Sequence, residues 1–156
     1  MKKLFLALAL AFCAATVSAQ GWGLGARVGA ALQLQGEYTF SQENYIDARL
    51  GLNLEGGMNV DLTLSHQWNV AKMDWTPSAG TWFVDLGVGA EGALFLKENG
   101  GIYAGVVGDA KFGIKFNKVP VKLAIDYTPG LGFLAAEDGG LTGRFINFGL
   151  SCVYCF

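Results

Sequence analysis

The sequence predicts an all-β fold: an eight-stranded antiparallel up-and-down transmembrane β-barrel, preceded by a cleavable helical signal peptide. Three observations predict it. Apolar and polar residues alternate with a period of two along most of the chain after position 20, the spacing that gives a strand two unlike faces. The chain is 52% hydrophobic and 15% charged, yet beyond its first twenty positions it has no apolar run of about 18 residues, which a spanning helix requires. Apolar and aromatic content is too high for a disordered chain.

The leader occupies residues 1–19. Lys2 and Lys3 form a positive start, Leu4–Ala15 a short apolar core, and Val17-Ser18-Ala19 a small-residue cleavage site. The apolar core is too short for an anchor. Phe12 is large where a lipid-attachment site at Cys13 asks for a small residue. Residues 20–156 then form one barrel domain.

The strands follow in order. Trp22–Val28 sets Leu24, Ala26 and Val28 against Gly23, Gly25 and Arg27. Leu32–Phe40 sets Leu32, Leu34, Tyr38 and Phe40 against Gln33, Gln35, Glu37 and Thr39; the break at Gly29–Ala31 is weak enough that one long bent strand is an alternative. Tyr45–Leu54 sets Ile46, Ala48, Leu50, Leu52 and Leu54 against Asp47, Arg49, Gly51 and Asn53. Val60–Val70 sets Val60, Leu62, Leu64, Trp68 and Val70 against Asp61, Thr63, Ser65, Gln67 and Asn69. Trp82–Leu96 opposes Val84, Leu86 and Val88 to Asp85, Gly87 and Glu91, and Ile102–Phe116 opposes Phe112 and Ile114 to Asp109, Lys111 and Lys115. Val119–Tyr127 opposes Leu123 and Ile125 to Lys122, Ala124 and Asp126. The last strand ends the chain and starts near Leu141. Turn chemistry marks Ser41–Asn44, Glu55–Asn59, Lys97–Gly101, Asn117–Lys118 and Glu137–Gly140, and Lys72–Thr81 reads as a longer connection. At about 10 residues per spanning strand the length fits eight strands.

Alternation alone does not say which face looks outward. A soluble carrier barrel turns its apolar face in; a membrane barrel turns it out. Here the polar face mixes glycine with charges of both signs: Arg27, Glu37, Asp47, Arg49, Asp61, Asp85, Glu91, Asp109, Lys111, Lys115, Lys122 and Asp126. Paired charges of that kind fill the narrow interior of an eight-stranded barrel and leave no diffusion pore. With both chain ends on one side, Trp22, Tyr38, Phe40, Tyr45, Trp68, Trp82, Phe116, Tyr154 and Phe156 fall near one rim, where aromatic rings favour a lipid–water boundary. Phe95, Tyr103 and Phe133 are candidates for the opposite rim.

The chain stops on Phe156, with Tyr154, Cys152, Leu150 and Phe148 at every second position before it. That ending resembles the assembly signal of outer-membrane β-barrels. The whole chain after the leader is similar to small eight-stranded members of the OmpA transmembrane domain and OmpX type. The resemblance implies a non-enzymatic outer-membrane protein with a structural or small surface-binding role. Its partners would be outer-membrane lipid and, during biogenesis, the barrel-assembly machinery and periplasmic chaperones. It would be a monomer without a cofactor. The short outer connections speak against an adhesin.

Other chemistry is sparse. A net charge of −2 without a basic cluster excludes a nucleic-acid partner. His66 is the lone histidine; the alternative of a lipid-modifying enzyme rests on it, but neighbouring Ser65 faces the other way on a strand. Cys152 and Cys155 form C-x-x-C, yet residues three apart on a strand point to opposite faces, about 10 Å apart, beyond disulfide reach. The glycine runs near Gly23 and Gly89 precede no helix, so they are not phosphate loops. A soluble lipocalin-like secreted carrier is the third reading.

Overall fold

The structure, a computed structural model, describes residues 21–53, 59–96, 100–136 and 139–156. The leader and parts of the turns expected at Glu55–Asn59, Lys97–Gly101 and Glu137–Gly140 lie outside the described residues, as does Leu54. The described residues form ten ladder segments: β1 (Trp22–Val28), β2 (Leu32–Thr39), β3 (Asn44–Asn53), β4 (Asn59–Thr76), β5 (Gly80–Phe95), β6 (Ile102–Phe116), β7 (Val121–Tyr127), β8 (Gly130–Ala135), β9 (Gly140–Arg144) and β10 (Phe148–Cys155).

The ten segments make eight staves. β7 and β8 both pair with β6, and the register runs on unbroken from Ala110↔Tyr127 to Val107↔Gly130. Only the ladder is interrupted, at Pro129, whose carbonyl accepts from Gly108 N at 2.9 Å but which has no N–H to return. β9 and β10 form the last stave, kinked by a bulge. Thr128 N donates to Asn147 O at 2.8 Å, while Gly130 pairs with Arg144, so Phe145 and Ile146 together oppose Pro129. Both side chains point outward. β10 pairs with β1, and β5 with β6, which closes the barrel.

Two boundaries differ from the sequence reading. Lys72–Thr81 is no long connection: β4 continues to Thr76, a tight turn spans Pro77–Ala79, and β5 starts at Gly80. A bulge at Val70, between the pairs Asn69↔Asp85 and Ala71↔Val84, breaks the alternation there. The seventh stave runs past Tyr127 to Ala135, where the sequence reading ended it at Tyr127, because the proline costs one hydrogen bond and not the pairing. Gly29–Ala31 is a true turn, closed by Gly29 N to Ala31 O at 3.1 Å and flanked by the pair Val28↔Leu32.

The register also gives the stagger. Register partners lead from Leu24 through Gly36, Ala48, Leu64, Ala90, Val106 and Leu131 to Gly143. Leu150 pairs with Val28. Allowing for the bulge, the path returns to the first stave about ten residues higher, which tilts the strands by about 40° at ordinary strand spacing.

The apolar core of a soluble protein is replaced here by an apolar exterior. Leu34, Leu50, Leu62, Leu64, Val88, Val106, Ile125 and Leu150 are each more than half exposed. The buried set is dominated by polar and charged groups.

Candidate functional site: the charged lumen

Inward positions follow from parity, but ion-pair partners do not. Asp85, Lys111 and Asp126 are register neighbours across β5, β6 and β7. Even so, the Lys111 ammonium crosses the lumen to Asp47, with Glu37 at 3.4 Å. Asp47 is the hub of the central layer. Its Oδ2 accepts from Arg49 Nε at 3.0 Å, Arg49 Nη2 at 2.8 Å and Gln35 Nε2 at 3.1 Å as well as from Lys111. Arg49 also reaches Asp109 and donates to Thr128 Oγ1 at 3.2 Å, and Gln67 Nε2 donates to Asp109 at 2.7 Å.

Toward the rim that carries the chain ends, Lys122 pairs with Glu37 and lies 4.3 Å from the Tyr45 ring centre and 5.4 Å from that of Phe83. Tyr45 OH donates to Asp85 at 2.6 Å, and Asn69 Nδ2 donates to its other oxygen at 2.6 Å. Toward the opposite rim, Arg27 Nε meets Asp126 at 2.6 Å, while its Nη1 donates to Gln33 and its Nη2 to Asn147; Gln33 donates on to Asp61 at 2.6 Å. Near that rim Glu91 accepts from Tyr103 OH at 2.8 Å and pairs with Arg144.

The charges expected inside are thus all directed inward, and most are joined. Lys115 is the exception: it lines the open mouth beside Lys122 and makes no ion pair among the described residues. Tyr45 corrects the sequence reading. It was expected in the aromatic girdle, yet it shares the parity of Asp47 and is 6% exposed, inside the lumen. Tyr103 turns inward for the same reason. Trp22, Tyr38, Trp68 and Tyr154 do lie outside near the chain ends, with Phe40. Trp82 and Phe112 stack at 5.4 Å, joined by Trp75; Phe116 follows on β6 at the same end. Trp75 and Phe112 escaped the girdle assignment, Trp75 because Lys72–Thr81 reads as a connection in the sequence once the Val70 bulge has broken the alternation. The luminal roles of Arg144, Asn147 and Thr128 were also missed, since they flank the bulge where alternation is unreadable.

Among the described residues five buried acceptors have no hydrogen-bond partner: Gln35 Oε1, Asp47 Oδ1, Gln67 Oε1, Asp109 Oδ1 and Asp126 Oδ2. Each belongs to a group whose other polar atom is bonded, so the group is held although not saturated. Arg49, Lys111 and Asp47 are each at most 1% exposed, so side chains fill the middle of the lumen. At the chain-end mouth the plug gives way to a cavity of about 290 Å³, floored by Tyr45 and Phe83.

Glycines make room for the plug. A Cβ on Gly149 would meet the Arg27 guanidinium, and one on Gly51 the Asp61 carboxylate. Gly149→Leu is therefore expected to displace Arg27 from Asp126 and to destabilise the barrel by about 3 kcal/mol, the upper range for overpacking. Urea unfolding in detergent micelles, followed by tryptophan fluorescence, checks it.

His66 lies on the outside, 3.2 Å from Asn44 Oδ1 and against Trp68 and Phe40, while Ser65 is buried within the barrel. Among the described residues no cluster of three or more His, Cys, Asp or Glu could hold a metal. Cys152 faces outward and Cys155 lines the mouth, both as free thiols. A carrier with an apolar cavity requires the opposite lining.

No protein-family model matches the sequence, and no curated protein sequence is detectably similar to it. A solved structure does match: the N-terminal β-barrel domain of Pseudomonas aeruginosa OprF, at 12% identity and a TM-score of 0.56, covering 88% of this chain and 98% of that one. The likeness establishes that this chain has the fold of that barrel domain.

Proposed function

We propose that the chain is an integral outer-membrane β-barrel protein of small OmpA-like type. It is exported by its leader and held by lipid contact, and it serves as a non-enzymatic structural or surface element. The observation that carries this reading is the inversion of polarity: a leucine- and valine-rich exterior around a lumen of buried ion pairs. Water would penalise that exterior, and lipid accepts it. Trp22, Tyr38, Trp68 and Tyr154 mark the interface on the chain-end side. Phe148, Leu150, Tyr154 and Phe156 of the closing strand are what the assembly machinery reads, and the chain works as a monomer.

The test is electrophoretic mobility of detergent-extracted protein with and without boiling. A compact, faster band before boiling and a slower one after supports the reading, because a closed barrel resists dodecyl sulfate until heated. A protein that folds in buffer without detergent and shows no shift overturns it. In planar bilayers the folded protein is expected to give no steady ion conductance, since the plug leaves no wetted path.

A further inference from the structure

We infer that the barrel wall is notched at the β1–β2 turn, and that phospholipid headgroups descend into the notch, thinning the membrane on that side. The inference rests on the membrane-spanning reading above. Its starting point is an unpaired edge. The ladder between β1 and β10 ends at Val28↔Leu150, and β9 has β8 as its hydrogen-bonded neighbour and no strand on its other side among the described residues. The last stave therefore projects well past the first, as the stagger of the barrel requires.

Depth decides the consequence. At a strand rise of about 3.3 Å and a tilt of about 40°, each residue climbs about 2.5 Å along the barrel axis. Tyr154 pairs with Leu24 at the aromatic rim. Val28 is then about 10 Å above that rim, and the turn residues Ala30 and Ala31 about 13 Å. β9 occupies about 20–30 Å. The apolar band of such barrels is about 25 Å tall. So the β1–β2 turn stands halfway up the band, and the free edge beside it crosses the upper half.

Backbone N–H and C=O groups in hydrocarbon must be hydrogen-bonded, each unsatisfied one costing several kcal/mol. Acyl chains supply no partner. A second copy of this chain does not either. Copies inserted in the same orientation carry β9 strands that run in the same direction and, tilted by about 40° each, cross rather than pair antiparallel. Polar headgroups with their water do satisfy the edge, and local thinning is the ordinary response to a short hydrophobic wall. The outer faces beside the notch, Leu32 and Ile146, remain in lipid.

The test uses the full barrel in phosphatidylcholine vesicles, with Cys152→Ser and Cys155→Ser removing the native thiols. Nitroxide labels are placed at Ala31→Cys and, separately, at Val106→Cys. Val106 is on the far wall, about 15 Å above the same rim by the same construction. Collision with dissolved oxygen and with a water-soluble nickel chelate reports depth. The label at 31 is expected to show several-fold more nickel contact than the label at 106, with Ala30→Cys giving the same result. Equal, oxygen-dominated contact at both positions overturns the notch and leaves the spanning reading standing. Nickel access at both overturns the spanning reading itself.

Discussion

Replacing Arg49 by methionine is expected to cost the folded barrel about 3–5 kcal/mol, the penalty for removing one partner of a buried ion pair. Two carboxylates depend on it. Among the described residues Asp47 would keep Lys111 and Gln35, and Asp109 would keep Gln67 alone. The loss is therefore concentrated on Asp109, whose ion pair among the described residues is with Arg49. Equilibrium unfolding in urea against phospholipid vesicles measures it. The diagnostic variant is Arg49→Met combined with Asp109→Asn. If the cost is that of an orphaned charge, the second change recovers about half of it or more, since an amide is far cheaper to bury than a lone carboxylate. A double variant no better than the single one would mean that Arg49 acts by volume, as a wedge between β3 and the opposite wall.

Leu64→Arg carries the second large effect. Leu64 is outward, pairs with Ala48 and Ala90, and stands near mid-height of the apolar band. In a bilayer the arginine is expected to cost about 2–4 kcal/mol, as for cations near the midplane of a barrel exterior. Were the exterior wetted, the same change would be nearly neutral and would improve solubility. One substitution thus reads both the depth of the site and the medium around it. Vesicle-refolding yield and the urea midpoint, compared with Leu64→Ala, separate loss of a leucine from gain of a charge.

The two substitutions also show where sequence reasoning works in this chain. Leu64 and Asp47 were assignable from parity because β3 and β4 alternate cleanly up to Asn69. Tyr45 fell by the same rule and was nonetheless placed with the girdle: its ring chemistry suits a membrane interface, whereas its position beside Ile46 demands the lumen. Physical position outranks residue type there, because a strand offers each side chain one face only. Past Val70 and around Pro129 the rule loses its phase. One extra residue in a bulge inverts every later assignment on that stave until the pairing partner restores the count. That is why Trp75, Arg144 and Asn147 became legible only with the partner strands in place.

By itself the sequence determined the fold class, the sidedness of the strands and the charge inventory of the interior, since each depends on residues at most a few positions apart. Only the tertiary structure decided which charge meets which. Arg27 and Asp126 are 99 residues apart, and Lys111 and Asp47 are 64 apart. Their contacts exist because closure and stagger bring non-adjacent staves face to face across the lumen. The same stagger sets the height of the wall on each side and leaves β9, paired with β8 on one side, without a strand on its other side among the described residues. Neither the closure nor the stagger is a local property, so no window of the sequence contains it.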